Sequence, residues 1–123
     1  MDNGGKLLMA HGKADVLVST RATEQYYERL QTTMGKDNVS QFVRYYEIPG
    51  YGHALSTVYN AAWDSLAALD TWVEKGQAPQ NQMVADTIGV PGRTRPLCEY
   101  PSWPKYKGEG DVNKAESFTC ATK

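Results

Sequence analysis

Two segments of this chain share one plan, and that plan limits its fold more than any other feature. Each is a short apolar run followed by a glycine-bearing turn, a titratable residue and a helix-like pattern. The run 6–10 leads to Asp15, and the run 42–48 leads to His53. Such short runs predict strands of a parallel sheet, and the turns after them lie where open α/β sheets bind ligands.

The stretch between the two runs predicts an amphipathic helix that is capped by Ser19 or Thr20 and ends near Gly35. Glu24 is placed on its polar side. Strand, helix and strand then make a right-handed βαβ unit. The predicted apolar stripe of the helix is Ala22, Tyr26, Leu30 and Met34, with Tyr27 beside it.

A second helix is predicted from a cap at Asn60 to a stop at Gly76. Its predicted apolar positions are Trp63, Leu66, Ala67, Leu69 and Val73. Beyond it the pattern predicts a short edge strand at 83–85 and an extended, proline-broken stretch at 93–101. The chain therefore divides into a βαβα part, 1–78, and an extended proline-rich tail, 79–123, that packs on it. Because a two-stranded sheet alone is only marginally stable, the sequence predicts the end of a larger domain.

Composition excludes several classes of protein. A length of 123 residues suits one small globular domain, and a net charge of −1 offers no basic patch for nucleic acid or for lipid. No apolar run approaches the roughly 18 residues of a membrane span. The polar start, Met1 to Gly5, does not resemble a signal peptide.

The two cysteines, Cys98 and Cys120, lie in the loop-rich last quarter of the chain. Their polar, turn-rich surroundings favour a disulfide that staples a tail without a core of its own. Two free thiols are the alternative.

Asp15 and His53 are the candidate catalytic pair. A carboxylate beside a histidine can accept the Nδ1 hydrogen, fix the tautomer and stabilise the imidazolium. The alternatives are a turn-capping aspartate and a structural histidine. His11 could join the pair as a metal ligand, but the spacing matches no strong metal motif, so no metal or cofactor is expected. His11 is expected instead to fix its loop by hydrogen bonding.

A nucleophile is not identified in the sequence. No serine lies in a Gly-x-Ser-x-Gly turn, which exposes the nucleophile in many serine hydrolases. Ser56 is nearest to His53 along the chain, but three residues of loop is a poor geometry for proton transfer, so Ser56 is interpreted as structural. Neither cysteine follows a strand as a nucleophile would.

Six blocks of residues, taken in order, match a known family. The blocks are 5–15, Tyr26–Arg29, Pro49–His53, Ala68–Gly76 with Ala78–Pro79, Arg93–Pro101 and Tyr106–Asp111. In these blocks the chain resembles the C-terminal part of the tannase/feruloyl esterase family of α/β-hydrolases. The likeness runs from Gly4 to Cys120.

The resemblance implies the C-terminal βαβα portion of an α/β-hydrolase fold with a disulfide-stapled irregular tail. Family members are typically secreted or periplasmic serine esterases acting on esters of aromatic acids such as gallate and ferulate. By the same resemblance Asp15 is the triad acid, His53 is the triad base, and Cys98 pairs with Cys120. The serine and the lid, which holds calcium in some members, belong to an N-terminal part. The chain departs at Ala54, where many members carry a cysteine bonded to one beside the serine.

The resulting hypothesis is a C-terminal fragment of a carboxylic-ester hydrolase that is inactive alone, located outside the cell or in the periplasm. Two alternatives stay open. The chain could be a stand-alone, non-catalytic module that assembles through its uncovered apolar faces, or a subunit completed by a separate chain that carries the serine. A homo-oligomer is expected, with an ester as substrate only in the completed enzyme.

Overall fold

A parallel two-stranded sheet with one connecting helix forms the centre of the chain. The computed structural model describes residues 3–54 and 58–122. Strand β1, Leu7–Gly12, pairs with β2, Val43–Ile48, in a register from Leu7 opposite Val43 to Gly12 opposite Ile48. Helix α1, Thr20–Met34, links the two strands. The predicted strand–helix–strand unit is confirmed.

The buried face of α1 differs from the predicted stripe. Its buried residues are Thr20, Glu24 and Tyr27, whereas Ala22 and Tyr26 are exposed. The prediction was wrong because it assumed that Glu24 needs water, although basic partners compensate its burial, as described below. A short helix that was not predicted, α2, Lys36–Ser40, follows directly.

Helix α3 spans Ser65–Lys75 and starts later than predicted. Its cap is Asp64, whose side chain accepts a hydrogen bond from Ala67 N at 3.1 Å. The Asn60 cap was wrong, because the Asn60 amide donates to Thr87 Oγ1 at 2.7 Å instead. The stop at Gly76 is confirmed by its left-handed conformation, with φ 67°.

The face of α3 was also predicted incorrectly. Trp72 is its buried residue, while Leu66 is 79% exposed and Val73 is 52% exposed. Ala67 is exposed as well, so three of the five predicted apolar positions face outward.

A second sheet follows, formed by β3, Ala61–Ala62, β4, Met83–Asp86, and β5, Thr94–Pro96, all antiparallel. Strand β4 is its central strand rather than the edge strand that the sequence predicted. An antiparallel pair, β6, Trp103–Tyr106, and β7, Phe118–Ala121, forms the last sheet, within the predicted tail.

Strand β2 organises the core because both of its faces are buried. Tyr45 is fully buried and Tyr46 is 2% exposed, on opposite faces of the strand. The tail docks on this strand, where Tyr100 N donates to Tyr45 O at 2.8 Å and Glu99 bridges to Tyr46. One core cluster contains Tyr27, Val39, Val43 and Tyr45, and the other contains Tyr46, Ile48, Tyr59, Val84 and Leu97.

Cys98 and Cys120 form a disulfide, as the sequence favoured over free thiols, with a Cα–Cα distance of 5.5 Å. It joins the segment after β5 to β7, and Cys98 is 1% exposed. The bridge therefore ties the β6–β7 pair to the segment that leaves the second sheet.

Replacing both Cys98 and Cys120 by alanine should lower the free energy of unfolding by about 3 kcal/mol. The reason is that the unfolded chain loses a cross-link across the 22-residue separation. Denaturant titration with and without reductant measures the effect. Reductant should destabilise the parent chain and leave the double variant unchanged, and an equal response of both would contradict the prediction.

Candidate active site

The loops that follow β1 and β2 are held together by backbone hydrogen bonds. Lys13 N donates to Ile48 O at 2.9 Å, and Ala14 N donates to Tyr51 O at 2.9 Å. The two loops start from neighbouring parallel strands, so their ends begin side by side. These bonds fix the distance between the side chains that follow.

Gly12 permits this close approach. A Cβ at Gly12 would lie 2.3 Å from Tyr51 O and 2.4 Å from Gly52 O. Neither backbone oxygen can move without shifting the loop that carries His53. The position therefore demands glycine because of space rather than because of backbone conformation.

Gly12→Ala should displace the His53 loop and cost about 1–3 kcal/mol of stability, as overpacking of a tight site does. Gly52→Ala is the matched control, because a Cβ there meets nothing within 4 Å. Thermal unfolding of both variants measures the difference. Equal midpoints for the two variants would contradict the prediction.

The structure brings the two predicted site residues together. His53 Nδ1 lies 2.9 Å from Asp15 Oδ2. The Asp15 side chain is 4% exposed and that of His53 is 49% exposed. Since a carboxylate only accepts, His53 donates from Nδ1, which leaves Nε2 free to accept a proton.

Asp15 is held as a carboxylate. The backbone N–H of Val18, at 2.9 Å from Oδ1, is the main cause that holds the pKa of Asp15 well below its usual range. The His53 hydrogen bond and the N–H of Leu17, at 2.8 Å, lower it further, while burial opposes them. Asp15 is thus charged at neutral pH, as an orienting acid must be.

His11 hydrogen-bonds within the same cluster, as expected from the sequence. Its Nε2 lies 3.2 Å from Asp15 Oδ2, and its Nδ1 lies 2.8 Å from Thr23 Oγ1. Within 3–54 and 58–122, no three His, Cys, Asp or Glu side chains are arranged to hold a metal ion.

An open cavity of about 260 Å³ lies over the pair and is lined by both histidines, Asp15, Val18, Ile48 and Tyr51. Among the serines that the structure describes, none hydrogen-bonds to His53. Ser56 lies outside the described residues.

Sequence reasoning missed an ionic cluster behind the pair. Lys13 Nζ pairs with Glu24 and lies 2.8 Å from Glu47 Oε2, and Arg21 Nη1 lies 2.9 Å from Glu24 Oε2. Burial opposes ionisation of Glu24, but the hydrogen bonds from Lys13 and Arg21 are among the causes that lower its pKa to about 2. The spacing of Thr20, Glu24 and Tyr27 on one helix face was the available signal.

Comparison with known proteins identifies the family. Residues 1–121 match the family model described as tannase and feruloyl esterase. The chain belongs to the tannase and feruloyl esterase family. An uncharacterized esterase of Agrobacterium fabrum is 46% identical over 122 residues, which are 98% of this chain and 22% of the relative. The mono(2-hydroxyethyl) terephthalate hydrolase of Piscinibacter sakaiensis is 39% identical over 126 residues, covering 98% of this chain and 20% of the hydrolase.

Solved structures of esterases share this fold. Feruloyl esterase B from Aspergillus oryzae superposes with a TM-score of 0.87 at 26% identity, covering 98% of this chain and 27% of the esterase. The βαβα unit with its stapled tail is therefore a portion of the α/β-hydrolase fold of this tannase and feruloyl esterase family. The chain spans about a fifth to a quarter of the length of these relatives. In the part of the chain described, no helix is long and apolar enough to cross a membrane.

Proposed function

We propose that this chain is the C-terminal portion of a serine carboxylic-ester hydrolase, in which His53 is the general base and Asp15 orients it. The observation that carries the proposal is the 2.9 Å hydrogen bond from His53 Nδ1 to a buried, charged Asp15. It leaves Nε2 as the proton acceptor at the carboxyl edge of the sheet, beside an open cavity. A base in this tautomer, backed by a carboxylate, is what ester cleavage by a serine needs.

In the proposed reaction a serine attacks the ester carbonyl while His53 Nε2 takes its proton. His53 then gives that proton to the leaving alcohol, and Asp15 stabilises the imidazolium between the two steps. We place the serine and the oxyanion hole in a part of the enzyme that this chain does not span. The chain alone is then inactive.

The proposed substrate class is an ester of an aromatic carboxylic acid. The support is that one relative is named for terephthalate and others are named for feruloyl esters. We propose a secreted or periplasmic location, because the Cys98–Cys120 disulfide suits an oxidising compartment.

A chimera tests the proposal. It joins the part of the Piscinibacter sakaiensis hydrolase that precedes the matched region to this chain, and it is assayed on mono(2-hydroxyethyl) terephthalate. The chimera should turn over the ester, and His53→Ala should reduce kcat by about 10⁴-fold or more. Lys36→Ala, at the exposed start of α2, is the control and should leave kcat unchanged. Turnover that survives His53→Ala would contradict the assignment of the base.

The chain alone gives a second readout. Hydrolysis of a short nitrophenyl ester and labelling by a fluorophosphonate should both be absent. Stoichiometric label on one serine would show that the nucleophile lies within this chain, and Ser56 would then be the first residue to replace.

The exposed apolar side chains support a second candidate, a module that associates through them. Leu66 is 79% exposed and Val73 is 52% exposed on α3, and Leu7 on β1 is 41% exposed. We propose that the isolated chain forms a homo-oligomer, or binds a separate serine-bearing chain, through such surfaces. Light scattering that gives a single 13.7 kDa species would contradict the homo-oligomer.

A further inference from the structure

We propose that His11 is a positioning residue that holds the Asp15 carboxylate in place for His53. The proposal rests on the function proposed above and adds a second histidine to its site. His11 does not contact the reacting atoms. It acts through Asp15.

His11 lies at the junction of three parts of the site. Its Nε2 is 3.2 Å from Asp15 Oδ2 and 3.3 Å from Val18 O, and its Nδ1 is 2.8 Å from Thr23 Oγ1. The His11 side chain is 11% exposed. The ring therefore connects β1 to the Asp15 loop and to helix α1.

The partners of His11 assign its hydrogen. Asp15 Oδ2 and Val18 O can only accept, so Nε2 carries the hydrogen. The neutral ring then accepts at Nδ1 from the Thr23 hydroxyl, which is free to rotate. Thr23 in α1 thereby satisfies Nδ1 in the His11 tautomer that donates to Asp15.

This arrangement positions the Asp15 carboxylate through hydrogen bonds that do not depend on His53. Oδ1 accepts from the backbone of Leu17 and Val18, and Oδ2 accepts from both histidines. Without His11, His53 is the only side-chain donor left at Oδ2 among residues 3–54 and 58–122, and His53 is the group that Asp15 must orient. His11 therefore fixes the plane of the carboxylate independently, as outer partners do for ligands at metal sites.

NMR of the chain labelled with ¹⁵N-histidine tests this hold directly, since the sequence contains two histidines. In the parent chain, His53 should populate the tautomer with its hydrogen on Nδ1 and show a downfield ring N–H signal. His11→Leu should mix the His53 tautomers and broaden that signal. His11→Gln should restore both, because the Gln amide can still donate to Asp15.

Thr23→Val keeps the ring of His11 and removes only the hydroxyl that hydrogen-bonds to its Nδ1. It should give a milder version of the His11→Leu spectrum. Thr32→Val is the matched control in the same helix, because the Thr32 hydroxyl bonds only to Glu28 O, at 2.9 Å, on the exposed side. It should leave the His53 signals unchanged.

Kinetics of the chimera supply the functional readout. His11→Leu should lower kcat by about tenfold or more while KM stays within about twofold, and His11→Gln should recover most of kcat. An unchanged His53 spectrum together with an unchanged kcat would overturn the positioning role. The NMR result does not depend on the proposed function. If His11→Leu disturbs the His53 signals of the chain while His53→Ala leaves the turnover of the chimera unchanged, the proposed function is refuted and the positioning of Asp15 by His11 stands.

Discussion

Asp15→Asn should lower kcat of the chimera by about 10⁴-fold. The asparagine oxygen should occupy the Oδ1 position, because the N–H groups of Leu17 and Val18 need an acceptor there. The amide nitrogen then replaces Oδ2 and faces the ring nitrogens of His11 and His53. His53 Nδ1 must accept instead of donate, so its hydrogen moves to Nε2 and the base is lost.

The matched control for this change is Asp64→Asn. Asp64 caps helix α3 through Oδ1, and asparagine caps nearly as well. Initial rates and thermal unfolding of both variants separate catalysis from folding. If Asp15→Asn retains more than about a tenth of kcat, the orienting role of Asp15 fails.

Asp86→Ala should cause the largest loss of stability of any single polar substitution in the described ranges. Asp86 is 2% exposed and lies at the end of β4. Its carboxylate accepts a hydrogen bond from the guanidinium of Arg93 at 2.6 Å, and alanine would remove the negative partner of that positive charge. The same carboxylate accepts from the backbone N–H groups of Asn60, Ile88, Gly89 and Val90. Those donors would lose their acceptor as well.

Asp111→Ala is the control, since Asp111 also binds a nearby backbone N–H, that of Asn113, but on the surface. Denaturant titration should show a far lower midpoint for Asp86→Ala than for Asp111→Ala. Similar midpoints would mean that the 86–93 loop does not hold the second sheet.

The Asp86 carboxylate also contributes to the way the stability of the fold changes with pH. Burial alone would raise the pKa of Asp86, but the N–H groups of Val90, Asn60, Ile88 and Gly89 hold it well below its usual range. A folded pKa below the unfolded value gives stability that is present above about pH 4 and is lost as pH falls toward the folded pKa. Asp15 acts in the same direction. Stability measured between pH 6 and 2 should therefore fall less steeply in Asp86→Ala than in the parent chain.

The core of the site could be predicted because its signals are local. Apolar runs before Asp15 and His53 predict neighbouring parallel strands, and the chain order then places both side chains at one edge of the sheet. The structure confirms the strands and measures the contact. The catalytic roles of the two residues stay predictions.

The second sheet could not be predicted from local patterns. Its strands β3 and β5 have two and three residues, too short to show an alternation of apolar and polar positions. Their pairing depends on Asp86, which ties Asn60 to the 86–93 loop across a separation of 26 residues. The sequence therefore predicted a helix cap at Asn60, whereas its backbone hydrogen-bonds to Asp86 and Thr87 beside this sheet.

The buried side of α1 was mistaken for a related reason. Glu24 is charged, so a reading by polarity alone places it in water. Arg21 lies one turn earlier in the same helix, but Lys13 follows β1 and meets Glu24 only after folding. Polar residues that are buried through distant partners are invisible to periodicity.

The docking of the tail on β2 leaves one edge of the parallel sheet, that of β1, to accept another strand. Glu99 and Tyr100 occupy the outer edge of β2 at its middle, so another strand cannot add on that side. Within the described ranges, the far edge of β1 has no strand partner. Any added strand must arrive at β1, whether it comes from a second copy or from the proposed N-terminal part. Self-association through that edge and completion of the enzyme would therefore be mutually exclusive, and an excess of either partner would suppress the other assembly.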